Sequence, residues 1–138
     1  MIELTRRYAF PAAHVLRHPS FSEEENRRVY GKCANPNGHG HDYGVEVTVT
    51  GPLEKDTGRI VDPALLDALF ESEVRTQFGH RMLNECEAFR ERVPTAENIA
   101  ATIHESLALP LAANTTARLV RVRVIETSKN SFAFGVPE

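Results

Sequence analysis

What this chain of 138 residues lacks closes off several architectures. It has two cysteines, Cys33 and Cys86, far apart and in no CxxC pair, which leaves no framework for a cysteine-rich metal finger or a disulfide-stapled scaffold. No run approaches the roughly 18 apolar residues of a membrane span. The start, Met1-Ile2-Glu3-Leu4-Thr5-Arg6-Arg7, has charges but no apolar stretch after them, so no secretory signal is expected. Thiols without such a signal point to a reducing cytoplasm. There is no excess of positive charge either: the net charge of -3 gives no nucleic-acid footprint. Repeats and low-complexity tracts are absent. What remains is the composition of a globular protein, 41% hydrophobic and 25% charged, at a length that suits one domain over residues 1–138 with a real core.

The densest chemistry lies in Cys33-Ala34-Asn35-Pro36-Asn37-Gly38-His39-Gly40-His41-Asp42-Tyr43. In an extended segment, side chains at i and i+2 share a face, so His39 and His41 can reach one ion. Gly38 and Gly40 leave room beside the backbone for an ion and a substrate. An HxH pair alone is as readily two strand histidines as a ligand pair. A third histidine, His14, ends the apolar-rich segment Tyr8-Ala9-Phe10-Pro11-Ala12-Ala13-His14 and favours the ligand reading. Three histidines with an open position make the ligand set of a catalytic zinc, and Cys33, near the metal but not needed to hold it, is a candidate base or nucleophile.

Periodicity supplies the frame. Residues 2–13 read as a strand with Ile2, Leu4, Tyr8 and Phe10 as its apolar members. Ser22-Glu23-Glu24-Glu25 looks like a capping box for a short helix to about Tyr30, ended by Gly31. From Tyr43 to Thr50, Val45, Val47 and Val49 alternate with Glu46, Thr48 and Thr50, as in a half-buried antiparallel strand. Asp62-Pro63 starts a helix carrying Leu65, Leu66, Leu69, Phe70, Val74 and Phe78. Thr95 caps a second, with Ile99, Ile103 and Leu107 in a stripe and Pro110 as the expected stop. Residues 119–125 and 131–136 read as closing strands. The order ββααββ predicts an α+β fold, an antiparallel four-stranded sheet with two helices on one face. Its two open edges invite pairing between copies.

Other residues carry weaker signals. Glu126, at a strand end before Ser128-Lys129-Asn130, is either a solvated turn residue or a carboxylate able to take two parallel hydrogen bonds from a pterin or guanine edge. Glu97 sits where the helix dipole favours an acid in any case. His80 follows a helix, where a capping role is common. His18 and His104 read as surface residues.

In combination these segments resemble the 6-pyruvoyl-tetrahydropterin synthases and the related 6-carboxytetrahydropterin synthases of queuosine biosynthesis. The resemblance runs over nearly the whole chain: Phe10-Pro11-Ala12-Ala13-His14, the block from Gly31 to Tyr43, Thr57-Gly58, Pro94-Thr95-Ala96-Glu97-Asn98 and Glu126-Thr127 come in the family's order. It implies His14, His39 and His41 as zinc ligands and Cys33 as catalytic base with His80 as its partner. It implies Glu126 as the carboxylate that anchors the pterin, with Thr95 and Glu97 in the segment that supports it. The implied fold is the tunnelling fold: three subunits close their sheets into a barrel, two trimers stack into a hexamer, and active sites lie between subunits. The implied activity is that of a zinc-dependent lyase acting on a pterin triphosphate, 7,8-dihydroneopterin triphosphate, with Arg17, Arg27, Arg28 and Lys32 as candidate phosphate contacts.

Two details refine the resemblance. Five residues separate Cys33 from His39, as in the pyruvoyl-type enzymes; many queuosine-pathway members have three. The family usually has Asp-His where this chain has Gly79-His80, so the acid that would orient His80 is missing, and Glu85 and Glu87 are the nearest acids downstream. A homologue that binds pterin without turnover is therefore the alternative from another class. Gly79→Asp is expected to raise turnover if the backbone accepts a side chain, a glycine at a helix end favouring positive φ.

Overall fold

A computed structural model describes residues 1–136 of the chain; the last two positions of the domain expected over residues 1–138 lie outside the described residues. Strands β1 (Glu3–His14), β2 (His39–Thr50), β3 (Arg118–Ile125) and β4 (Ser131–Gly135) form one antiparallel sheet in sequence order. β1 and β2 pair from Glu3↔Thr50 to His14↔His39. β2 thus starts at His39 rather than Tyr43, because Ala12 and Ala13 on β1 give His41 and Gly40 partners that their own strand propensity would not secure.

Helix α1 (Glu23–Tyr30) starts at Ser22, whose side chain accepts from the Glu25 amide, and stops at Gly31 with φ 57°. Helix α2 (Pro63–Phe70) is capped by Asp62 and continues through a π-helical turn (Glu71–Arg75) and a last turn (Thr76–Phe78). Helix α3 (Ala96–Asn114) begins at Thr95, whose hydroxyl accepts from the Asn98 amide. Pro110 does not stop it. The lost backbone bond costs on the order of 3 kcal/mol. Burial of Leu111 at 1% exposure extends the apolar stripe, and Asn114 Nδ2 and Thr115 Oγ1 donate to the Pro110 and Leu111 carbonyls at 2.7 and 2.8 Å.

The core lies between the helices and one sheet face. Phe10, Tyr43, Val45, Val47, Val122 and Val124 meet Leu66, Phe70, Ile99, Ile103 and Leu107 there. Asp67 of α2 clamps β1: Arg6 donates two bonds to it, at 3.1 and 2.6 Å, and Tyr8 Oη one at 2.7 Å. The opposite face is uncovered by helices, and it carries ion pairs, with Glu46 between Arg7 (2.9 Å) and Arg123 (3.5 Å). His104, expected at the surface, is half-buried on α3: its Nε2 is enclosed without a partner among the described residues, and its ring meets Phe134 of β4 edge-on.

Candidate metal centre and active site

Alternation along β1 and β2 turns Tyr8, Phe10, Ala12 and His14, and likewise His39, His41, Tyr43 and Val45, to the covered face. The register sets His14 across from His39 and Ala12 across from His41. The three imidazoles converge: Nε2 of His14 is 2.9 Å from Nε2 of His39, and one nitrogen from each ring lies within 4.8 Å of the others.

The far side of His14 is fixed. Its Nδ1–H donates to the Pro94 carbonyl at 2.8 Å, and Tyr43 Oη, 3.0 Å away, is a second acceptor. That tautomer leaves the Nε2 lone pair facing the other two rings, the arrangement that outer hydrogen bonds give to metal-binding histidines. His14 is fully buried, and burial above all, helped by its two histidine neighbours and opposed by the Pro94 bond, pushes its pKa down to about 4. His39 is lowered too, by burial and by His41, against Glu126. Both are neutral near pH 7, so Glu126, 4.0 Å from His14 Nε2, makes no ion pair with it. His41 Nε2 is buried with no partner among the described residues, an arrangement that a shared ion resolves. The residues present fit a divalent metal.

Cys33 sits in a 3-10 turn (Gly31–Ala34) whose Cys33 carbonyl accepts from the Leu16 amide at 2.7 Å, two residues past His14. Burial above all, with Glu126 next, holds the Tyr43 hydroxyl well above the ordinary phenol range, so it stays un-ionised beside the histidines. Glu126 follows β3, one step beyond the Gly44↔Ile125 pair, and so arrives beside Tyr43 and the histidines. Thr127 Oγ1 accepts the Lys129 and Asn130 amides, both at 3.2 Å, and closes the turn without the Glu126 carboxylate. The turn is not merely solvated: the Glu126 side chain is mostly buried at the cluster. Thr95 serves as the α3 cap next to Pro94, while Glu97 is exposed in the first helical turn. Arg27 and Lys32 line one depression beside the Cys33 turn, and Arg17 is engaged with Glu23.

His80 does not join the cluster within one chain. Its amide donates to the Pro11 carbonyl at 2.6 Å, which holds it at the edge of β1, where it lines an open depression with Gly40, His41 and Asp42. The positive φ belongs to His80, at 58°, and not to Gly79, at -64°. A Cβ at Gly79 would lie 2.7 Å from the Arg75 carbonyl oxygen, so that position is closed to a side chain by contact rather than by its dihedral angle.

Three supports of the site escape a reading of the sequence. Tyr43 carries the one available signal, since it continues the His39, His41 spacing on the same face. The Pro94 carbonyl carries none. Nor does Asn84, whose amide bonds both the N–H and the carbonyl of Val15 at 2.8 Å and holds the strand end next to His14.

Comparisons with known proteins agree with this geometry. Residues 3–136 match the family model described as 6-pyruvoyl tetrahydropterin synthase. The 6-pyruvoyl tetrahydrobiopterin synthase of Drosophila melanogaster is 37% identical over 135 residues, 97% of this chain and 79% of that protein. The human 6-pyruvoyl tetrahydrobiopterin synthase is 37% identical over 129 residues, 93% of this chain and 87% of that one. The solved 6-pyruvoyl tetrahydropterin synthase of Caenorhabditis elegans superimposes with a TM-score of 0.91 at 32% identity, covering 99% of this chain and 96% of that one, and the fold is the tunnelling fold. Likeness of this breadth takes in the histidine strands, the thiol turn and the closing hairpin alike, and the chain belongs to the 6-pyruvoyl tetrahydropterin synthase family.

Proposed function

We propose that this protein is a zinc-dependent lyase that converts 7,8-dihydroneopterin triphosphate to 6-pyruvoyl-tetrahydropterin with loss of triphosphate. The observation that carries the reading is the cluster of buried His14 with half-buried His39 and His41, in which the His41 Nε2 is enclosed and, among the described residues, unpartnered. These three residues would hold the ion, and a neutral imidazole set with no carboxylate among its ligands suits zinc. When bound, zinc supplies Lewis-acid polarisation to the hydroxyls of the substrate side chain.

The chain's own residues then divide the remaining work. Cys33, as thiolate, takes a proton from the side chain of the substrate. His80 relays it, reaching the thiol from a neighbouring copy, since within one protomer it is held at the β1 edge and outside the histidine cluster. Glu126 accepts two hydrogen bonds from the pterin edge, with the Thr95 and Glu97 segment behind it. Arg27 and Lys32, beside the thiol turn, receive the triphosphate. The edge of β4 and the part of the β1 edge ahead of Ala9 pair between copies, giving a cytoplasmic homo-hexamer built as two stacked trimers. Among the described residues no helix is long and apolar enough to cross a membrane.

Incubating the pure zinc-loaded protein with 7,8-dihydroneopterin triphosphate and identifying products by mass spectrometry tests this directly. The pyruvoyl product is expected. A carboxy product would assign the queuosine-pathway reaction instead, and binding without turnover would make the protein a pterin-binding homologue. Metal analysis of His39→Ala belongs with it: zinc should be largely lost, and full occupancy would remove the ligand assignment.

A further inference from the structure

A histidine that passes a proton works well only when its second nitrogen is held, because that bond decides which nitrogen carries the proton and where the ring points. His80 lacks such a partner in its own loop. Gly79 has no side chain and cannot acquire one without meeting the Arg75 carbonyl oxygen. Glu85 and Glu87 line a different depression, around Cys86, and Glu87 is paired with Arg90 at 2.9 Å.

Yet the loop is placed with care. His80 is the one described residue other than glycine with positive φ, an arrangement that costs on the order of 1–3 kcal/mol. Two backbone bonds impose it: the His80 amide donates to the Pro11 carbonyl at 2.6 Å, and the Ala13 amide donates to the Arg81 carbonyl at 2.9 Å. Directly across from Pro11 in the sheet register is Asp42. Its neighbour His41 turns to the covered face, so the Asp42 side chain takes the uncovered one. It and His80 line the same open depression of about 350 Å³, in which Asp42 is the only carboxylate among the described residues. Both side chains are exposed. Among the described residues neither has a hydrogen-bond or ion-pair partner within 4.0 Å, so both are free to turn toward each other.

We propose that Asp42 is the positioning carboxylate of His80: it accepts the ring N–H turned away from the thiol and so fixes the tautomer in which His80 relays a proton. The chain thus carries on β2 the acid that is absent at Gly79. This rests on the reading of His80 as the partner of Cys33. It makes Asp42 a residue that acts through His80 and touches no substrate.

The test uses zinc-loaded protein in its native assembly and three variants: Asp42→Asn, Asp42→Glu and His80→Ala. Asp42→Asn should lower kcat by about 10- to 100-fold with KM within about twofold and zinc content unchanged. Asp42→Glu should recover much of that loss. Nitrogen-15 NMR of labelled histidine should show one predominant His80 tautomer in the wild type and a mixture in Asp42→Asn, the His80 signal being assigned by its absence in His80→Ala. Since Asp42 adjoins His41, the NMR comparison is repeated on metal-free protein, so that a change in zinc binding cannot stand in for the effect. An unchanged His80 tautomer and unchanged kcat in Asp42→Asn, with His80→Ala impaired, overturns the Asp42 inference and leaves the role of His80 standing. Full activity in His80→Ala overturns both.

Discussion

Metal-free protein should lose stability between neutral pH and about pH 4 through His14. The perturbation is proton uptake by a fully buried imidazole. Its pKa falls from the ordinary 6.5 to about 4, chiefly because burial penalises the cation, with His39 and His41 adding to the penalty. The unfolded chain therefore binds this proton at a higher pH than the native one. Above about pH 6.5 both states are neutral and the group has no effect. As pH falls from there toward 4 the unfolded state gains, and at lower pH the full difference has been lost. A drop of about 2.5 units corresponds to roughly 3 kcal/mol, a large share of the 5–15 kcal/mol that holds a domain folded. His39 is displaced in the same direction and adds to the slope.

The assay is urea denaturation of chelator-treated protein at about pH 7, 5.5 and 4.5, followed by circular dichroism because the chain has no tryptophan. The carboxylates also titrate near the lower end, so the comparison is with His14→Gln, whose slope over the same interval should be shallower by most of those 3 kcal/mol. Equal slopes in the two proteins would refute the reasoning and mean that His14 accepts its proton in place.

Three further outcomes are expected. Cys33→Ala should keep its fold and zinc but lose at least about a hundredfold in turnover, the scale for a positioned proton-transfer group; wild-type turnover would assign the base elsewhere. Glu126→Gln should weaken pterin binding by roughly tenfold or more, since an unpaired polar ligand edge costs about 1–3 kcal/mol, and unchanged affinity in a calorimetric titration would return Glu126 to a structural role. Gly79→Asp should lose about 1–3 kcal/mol in denaturant unfolding and gain no turnover, because its Cβ meets the Arg75 carbonyl oxygen; a stable, faster variant would show that the helix end yields.

The sheet and its helices are legible in the sequence because their signals are local. The Val45, Val47, Val49 alternation, the Asp62-Pro63 start and the Ser22 cap each state a conformation within a few residues. The errors fall where distant partners decide. Gly40 and His41 become strand only because β1 pairs with them, and α3 passes Pro110 because Leu111 finds the core. The candidate site divides in the same way. His39 and His41 announce themselves by spacing and Cys33 by standing in the same block, whereas Glu126 joins them only through the family resemblance. The sheet register then brings Glu126 to the cluster across more than eighty residues of intervening chain. Nothing in the sequence places His80 at the edge of β1, since that depends on one amide finding the Pro11 carbonyl.

His14, His39 and His41 all stand on one pair of neighbouring strands, so an ion bound between them would act as a proofreader of their alignment. The β1–β2 ladder runs twelve residues on each strand, and much of β2 is a repeat of valine and threonine that would tolerate sliding. A slip of one residue would send His14 to one side of the ribbon and His39 and His41 to the other. Only the native alignment offers three nitrogens to one centre. An ion that binds there rewards that alignment alone and leaves every slipped pairing without its contribution.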